Sequence, residues 1–234
     1  MSGPRVERIG AATLYHGDCR DILPSLGAID ALCMDPPYEF DTSGGGAFRA
    51  QRENMDQIEA AGLADGFDHS VISGDQFGCA VIFAHNDQWA SLLPHVAGQF
   101  DRYAICQWHK SNPLPVANHH YQPDTEIYVH AWKRGFHPAG DLRQKKRFIV
   151  APNGQDGSID HPTVKPLAVM RKIVTNITGE TICDPFMGSG STGVAAVELG
   201  RRFIGIERDP KHFETACRRI EAAQRQGALM LAVA

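Results

Sequence analysis

TICDPFMGSGSTGVAAVELGRRFIGIE, residues 181–207, decides the architecture. It opens with a short apolar strand, Thr181 to Cys183, that ends at Asp184. Glycines 188, 190 and 193 follow, then an Ala-rich helical stretch, then a second strand closing on Glu207. Strand, glycine turn, helix and strand in that order make a βαβ unit, whose two strands lie parallel. Glycines at the first turn let a ligand come close to the backbone because no Cβ stands in the way. An acid at the tip of the next strand, about 20 residues on, is placed to accept hydrogen bonds from ribose hydroxyls. Adenosine-type ligands fit this layout. A phosphate-loop reading of GSGST competes, but no lysine precedes Ser191 or Thr192, and Asp184 would repel a pyrophosphate. A ligand joining an adenosine to a positive charge suits the two carboxylates better. The plainer alternative is that the glycines only let helix and strand pack closely.

Upstream, strand and helix keep alternating. ATLYHG, IDALCMD, CAVIFAH, RYAICQWH and TEIYVHAW join TICDP and RFIGIE as short runs rich in β-branched or aromatic residues. CRDILPSL, DQWASLLPHV, KPLAVMRKIVTNI, STGVAAVELG and PKHFETACRRIEAAQRQ carry helical spacing between or after them. Apolar strands separated by amphipathic helices predict an α/β domain, its mostly parallel sheet covered on both faces. The length suits a single domain spanning residues 1–234. Two stretches break the alternation, at about 39–77, with at most one short helix around 51–63, and at 134–160. Both read as long loops that close over a substrate.

Composition narrows the class. A hydrophobic content of 43% excludes wholesale disorder. No apolar run approaches the roughly 20 residues that span a bilayer, and MSGPRVERIG lacks the apolar centre of a signal peptide. A soluble, cytoplasmic protein is expected. Six cysteines are scattered without a CxxC pair, so they read as small buried hydrophobes rather than a zinc site or disulfide framework. From Lys133 to Arg147 six cations face only Asp141, a balance of +5 that leaves −9 on the rest of a chain whose total is −4. An acidic body with one basic segment can hold a polyanion at one face, although a solvated loop reads the same way.

ALCMDPPYEF, residues 31–40, ends another apolar strand with an acid, two prolines and a tyrosine. A turn, an acid placed for proton chemistry, and a clamp for a flat polar group all fit that tetrapeptide.

DPPY at 35–38, HPTVKP at 161–166 and DPFMGSGST at 184–192, in that order, resemble the signature set of S-adenosylmethionine-dependent DNA amino-methyltransferases. The catalytic motif precedes the cofactor motif, as in their β group, a circular permutation of the usual order. The similarity runs from about Leu14 to Ile220. It implies a three-layer Rossmann-like methyltransferase fold with a mostly parallel seven-stranded sheet, S-adenosyl-L-methionine as cofactor, double-stranded DNA as partner, and no metal.

The resemblance also implies roles. Asp35 and the carbonyl of Pro36 would accept the two N–H groups of a base amine, Pro37 would stiffen the clamp, and Tyr38 would stack on the base. Asp18 would meet the adenine of the cofactor, beside Cys19, and Glu207 its ribose. Phe186, Gly188, Ser189 and Gly190, with Asp184, Ser191 and Thr192 around them, would shape the pocket. Thr163 and Lys165 would meet the methionine carboxylate, with His161 beside them on the cofactor side or organising the turn before the helix that starts at Pro166. Lys110, Arg143, Lys145, Lys146 and Arg147 would hold DNA phosphates. An acid at the first position of the tetrapeptide favours adenine N6 over cytosine N4. An RNA or protein methyltransferase, and a silent DNA-binding regulator, remain as other classes. About 27 residues before HPT leave little room for target recognition, so either recognition is relaxed or a second subunit contributes part of the DNA surface, and of the two a homodimer is expected.

Overall fold

The computed structural model describes residues 3–38, 66–113, 115, 121–154 and 164–233. In chain order the elements are β1 (Arg5–Ile9), β2 (Ala12–His16), α1 (Cys19–Ile22), β3 (Ile29–Met34), β4 (Phe77–Ala84), α2 (Trp89–Gln99), β5 (Arg102–Lys110), β6 (Thr125–Trp132), β7 (Phe148–Ala151), α3 (Leu167–Asn176), β8 (Thr181–Asp184), α4 (Ser191–Glu198), β9 (Arg202–Glu207) and α5 (Pro210–Val233). The strands form one nine-stranded sheet in the order β1-β2-β9-β8-β3-β4-β6-β5-β7.

All seven strands expected from the sequence are present, and two more lie at the edges. β1 reads RVERI, charged and mostly exposed, and it pairs antiparallel with β2 alone. β7 is four residues long and lies inside the segment expected to be loop, where it runs parallel to β5. β1 lacks the apolar signal of a buried strand, and β7, FIVA, is apolar but only four residues long within a stretch dominated by cations and turn residues, so the expected seven strands are corrected to nine among the described residues. The expected helix around 51–63 lies outside the described residues.

Strand alternation divides the core into two layers. Ala31, Cys33, Val81, Phe83 and Trp108 face Val169, Ile173, Ala195 and Phe213 of α3, α4 and α5. Leu32, Met34, Ala80 and Ile82 face Ile22, Leu92 and Val96 of α1 and α2. Successive residues of β3 and β4 thus serve opposite faces, and both layers are apolar, as parallel strands under helices require. The three-layer Rossmann-like architecture expected above is the one observed.

β2, β9, β8, β3 and β4 run parallel, so their carboxyl ends share one edge of the sheet. β6 runs antiparallel to both β4 and β5, which brings the start of β6 and the end of β5 to that same edge. Between β8 and β3 the chain switches direction across the sheet: β8 leads through α4 to β9 on one side, and β3 leads to β4 on the other. Crevices at such switch points are where open α/β sheets bind ligands.

Candidate active site

A cavity of about 1150 Å³ opens at this carboxyl edge, lined by Asp35, Pro36, Pro37 and Tyr38 and also by Asp184, Phe186, Gly188 and Ser189. Its volume sits above the usual range for one small-molecule site, roughly 300–1,000 Å³, and leaves room for two ligands side by side. The DPPY segment and the glycine turn therefore share one chamber.

Asp184 organises the glycine side. Its Oδ1 accepts from the Phe186 N–H at 3.0 Å and its Oδ2 from the Thr192 hydroxyl at 2.6 Å, tying the turn to the first residues of α4. Burial pushes its pKa up to about 7, against those two hydrogen bonds and with the charges of Asp35 and Glu207 adding to the rise. Gly190 sits at φ 82°, and a Cβ there would meet the Ala216 Cβ at 3.0 Å. At Gly193 a Cβ would lie 2.5 Å from Ile220 and 2.6 Å from Phe203. The plainer reading of the glycines thus holds for Gly193, a packing position, whereas Gly190 makes the left-handed turn.

Glu207, at the tip of β9, accepts from the Gly188 N–H at 2.8 Å and from the Asp209 N–H at 2.7 Å, so it faces the turn it was expected to complement. Asp18 caps α1 and pairs with Arg20 at 2.5 Å, which holds its pKa down at about 2. Cys19 is buried beside it, and burial pushes its thiol up to about 11. Asp18, Cys19, Ser191, Thr192 and Glu207 all line the cavity.

On the other side both oxygens of Asp35 are engaged. Tyr38 donates to Oδ1 at 2.8 Å and the Lys165 ammonium meets Oδ2 at 2.5 Å. Lys165 also lies 3.0 Å from Glu126, whose other oxygen is 2.9 Å from Lys110. Burial pushes Asp35 above the usual carboxylate range, with Lys165 pulling back. Burial opposes the charge of Lys165, yet Asp35 and Glu126 together hold the ammonium well above its ordinary pKa. Glu126 falls below the carboxylate range because two lysines outweigh its burial.

Several lining or supporting residues escaped the sequence. Phe67 meets Phe186 edge-on at 5.8 Å and walls the cavity from the end of the long 39–77 stretch. Gln88 donates to the Pro37 carbonyl at 3.3 Å and accepts from the His85 N–H at 3.0 Å, bracing the clamp from below. Arg219 of α5 donates to the Ser189 carbonyl at 2.5 Å and the Ser189 hydroxyl at 2.9 Å. Glu126 carried a readable signal: it shares the inward face of β6 with Tyr128 and His130, and a buried acid needs a cation.

Not every expected site residue meets here. His161 and Thr163 lie outside the described residues. Lys165 reaches Asp35 and Glu126, on the clamp side of the chamber. Lys110, expected on DNA, is mostly enclosed and bound to Glu126. Arg143, Lys145, Lys146 and Arg147 are exposed but outside the main cavity; the pairing of Phe148 with Gln107 sets Arg147 beside the middle of β5. Among the described residues no group of three or more His, Cys, Asp or Glu side chains could hold a metal ion.

The sheet order, the glycine turn and the acid–proline clamp in one chamber define a nucleoside-binding α/β transferase with a motif order in which the clamp comes first. The chain belongs to the N6/N4 DNA methylase family, whose model, described as DNA methylase, matches residues 29–218. S-adenosyl-L-methionine is the cofactor of that family, and paired carboxylates around a glycine turn suit a ligand with an adenosine and a sulfonium. The Type II methyltransferase M2.MboI of Moraxella bovis is 28% identical over 239 residues, covering 88% of this chain and 86% of its own. M2.DpnII of Streptococcus pneumoniae is 27% identical over 242 residues, with 89% of each covered. The crystal structure of the M1.HpyAVI–SAM complex aligns with a TM-score of 0.65 at 27% identity, covering 89% of this chain and 98% of that one.

Proposed function

We propose that this chain methylates the N6 amino group of adenine in double-stranded DNA, using S-adenosyl-L-methionine, after the base has left the helix. The observation that carries the reading is the chamber shared by the DPPY clamp and the glycine turn. An exocyclic amine is a poor nucleophile because its lone pair is delocalised into the ring. Asp35 accepting one N–H and the Pro36 carbonyl accepting the other favour a pyramidal nitrogen whose lone pair points into the chamber. Bound along Asp18, Glu207, Asp184 and the turn, the cofactor supplies a methyl group on a good leaving group. The chain itself aligns, stacks and excludes water.

A base inside a duplex cannot reach this clamp, and extrusion costs roughly a few kcal/mol, which stacking on Tyr38 and edge contacts recover. The exposed cations Arg143, Lys145, Lys146 and Arg147 are assigned to phosphates flanking the target. A homodimer is part of the same reading, supported by the exposed Tyr103 and Ile105 of β5 and Phe148 and Val150 of β7. Sedimentation giving a monomer both free and on DNA would remove it.

Adenine is favoured over cytosine by the acid that opens the tetrapeptide. The test is to incubate the protein with labelled S-adenosyl-L-methionine and, separately, duplex DNA, RNA and protein extract, and to identify the product by mass spectrometry. N6-methyladenine in DNA is expected. N4-methylcytosine would move the assignment to the other base, label confined to RNA or protein would overturn the substrate, and DNA binding without transfer would mark a regulator.

A further inference from the structure

We propose that Glu126 is a positioning residue: bridging Lys165 and Lys110, it holds the Lys165 ammonium off-centre from Asp35 and so sets how strongly that carboxylate accepts the target amine. The inference rests on the function proposed above. Glu126 comes from the start of β6, Lys110 from the end of β5, Lys165 from just before α3, and Asp35 from just after β3. Four segments distant in sequence thus build one row of alternating charge, Asp35–Lys165–Glu126–Lys110, at separations of 2.5, 3.0 and 2.9 Å.

The row follows from what Lys165 needs. Its ammonium is buried, 4.8 Å from the Phe83 ring centre and 5.6 Å from that of Tyr38, so its counter-charges must come from carboxylates. With Asp35 as sole partner, the ammonium would hold that carboxylate tightly and leave it a weak acceptor for an amine. Glu126 shares the ammonium, and Lys110 in turn compensates Glu126. Asp35 then keeps acceptor capacity without losing its neighbour. The bland alternative is an ion network that only fastens β5, β6 and the segment before α3 together. The two differ in one respect: a fastening affects stability, whereas a positioning charge also moves the titration of Asp35.

The sign is fixed by the neighbours. Asp35 faces Lys165, Tyr38, Glu126 and the more distant Asp184, and Tyr38 in turn faces His85. Glu126 raises the pKa of Asp35 and Lys165 lowers it. Glu126→Gln keeps the shape and removes the charge, so Asp35 should titrate at lower pH. Lys110→Met leaves Glu126 less compensated, so Asp35 should titrate at higher pH.

The experiment follows the Asp35 carboxyl carbon by ¹³C NMR in the ligand-free protein, with Asp35→Asn for assignment, in wild type, Glu126→Gln and Lys110→Met. Single-turnover methylation of duplex DNA is measured beside it across pH. Opposite displacements of the Asp35 midpoint are expected. In Glu126→Gln the acid limb of the rate should move to lower pH and the neutral-pH rate fall roughly tenfold, the scale of a lost charged hydrogen bond. Cofactor affinity by calorimetry should be unchanged. An Asp35 midpoint that stays put in both variants would overturn the inference whatever the activity. Displaced midpoints in a protein that methylates no DNA would keep the charge coupling and remove its stated purpose, so the two failures are told apart. If Glu126→Gln does not fold, Lys110→Met still tests the sign.

Discussion

Asp35 accepts from Tyr38 on one oxygen and pairs with Lys165 on the other, so under the proposed function a target amine competes with the tyrosine hydroxyl for its acceptor. On that reading the ring exchanges its hydrogen bond to the acid for stacking on the base. Tyr38→Phe keeps the stacking face and removes only the competing hydroxyl, so its turnover should stay within about fivefold of wild type, since one exchanged hydrogen bond is worth on the order of 1 kcal/mol. Tyr38→Ala removes the face and should lower kcat/KM by roughly 10- to 100-fold, given about 1–3 kcal/mol per stacked base. Steady-state kinetics on a duplex separates these, and equal losses in the two variants would deny stacking. Residues adjacent in sequence, such as Asp35 and Tyr38, were legible because their joint geometry is local. Lys165 was legible as a site residue but not in its partners, because its nearest acids lie 130 and 39 positions away in the chain, just after β3 and on β6. Gln88 and Arg219 support the site from elements whose placement only the fold supplies, whereas Glu126 was legible as an acid within a strand but not in its lysine partners.

At the scale of elements, the βαβ unit depends on Asp184 as a buried hinge between β8 and α4. Its pKa rises from an ordinary 3.8 to about 7 in the folded chain. Between those values the folded protein holds a proton the unfolded chain has released, so its contribution to stability falls as pH rises and levels off above about 7. His130, buried on β6 and lowered from 6.5 to about 4, contributes the opposite slope over part of the same window. The difference between wild type and Asp184→Asn isolates the first effect. Urea unfolding from pH 4 to 8 should show the variant losing the downward component, by a few kcal/mol at most. Identical pH profiles would mean that Asp184 is ionised throughout. β3, β4 and β8 were readable because burial on both faces makes them apolar runs, and β2, β5, β6 and β9 because they are rich in β-branched and aromatic residues. β1 was not, because an edge strand needs no apolar pattern, and β7 was not, because its four apolar residues follow a run of cations.

For the whole molecule, the carboxyl ends of β2, β9, β8, β3, β4 and β5 and the start of the antiparallel β6 meet at one edge, where the chamber opens. The fold class and the clamp-before-turn motif order could be read from the sequence because both are properties of order along the chain. The path of DNA could not. The basic segment lies beside β5 and β7 and does not line the chamber, so any phosphates it holds flank the target base rather than carry it. Replacing Arg143, Lys145, Lys146 and Arg147 with Ala should weaken binding of all duplexes alike and flatten the plot of log K against log salt by about 0.9 for each phosphate no longer neutralised. An unchanged slope would move the phosphate track elsewhere. No helix among the described residues is long and apolar enough to cross a membrane.

The claim on which the account turns is a division of labour inside one cavity: the acid clamp handles the amine and the glycine turn handles the cofactor. Calorimetry with S-adenosyl-L-methionine, paired with methyl transfer to duplex DNA in wild type and Asp35→Ala, tests it most directly. Asp35→Ala is expected to bind the cofactor with wild-type affinity while N6-methyladenine formation disappears. Transfer at the wild-type rate by Asp35→Ala would contradict the account.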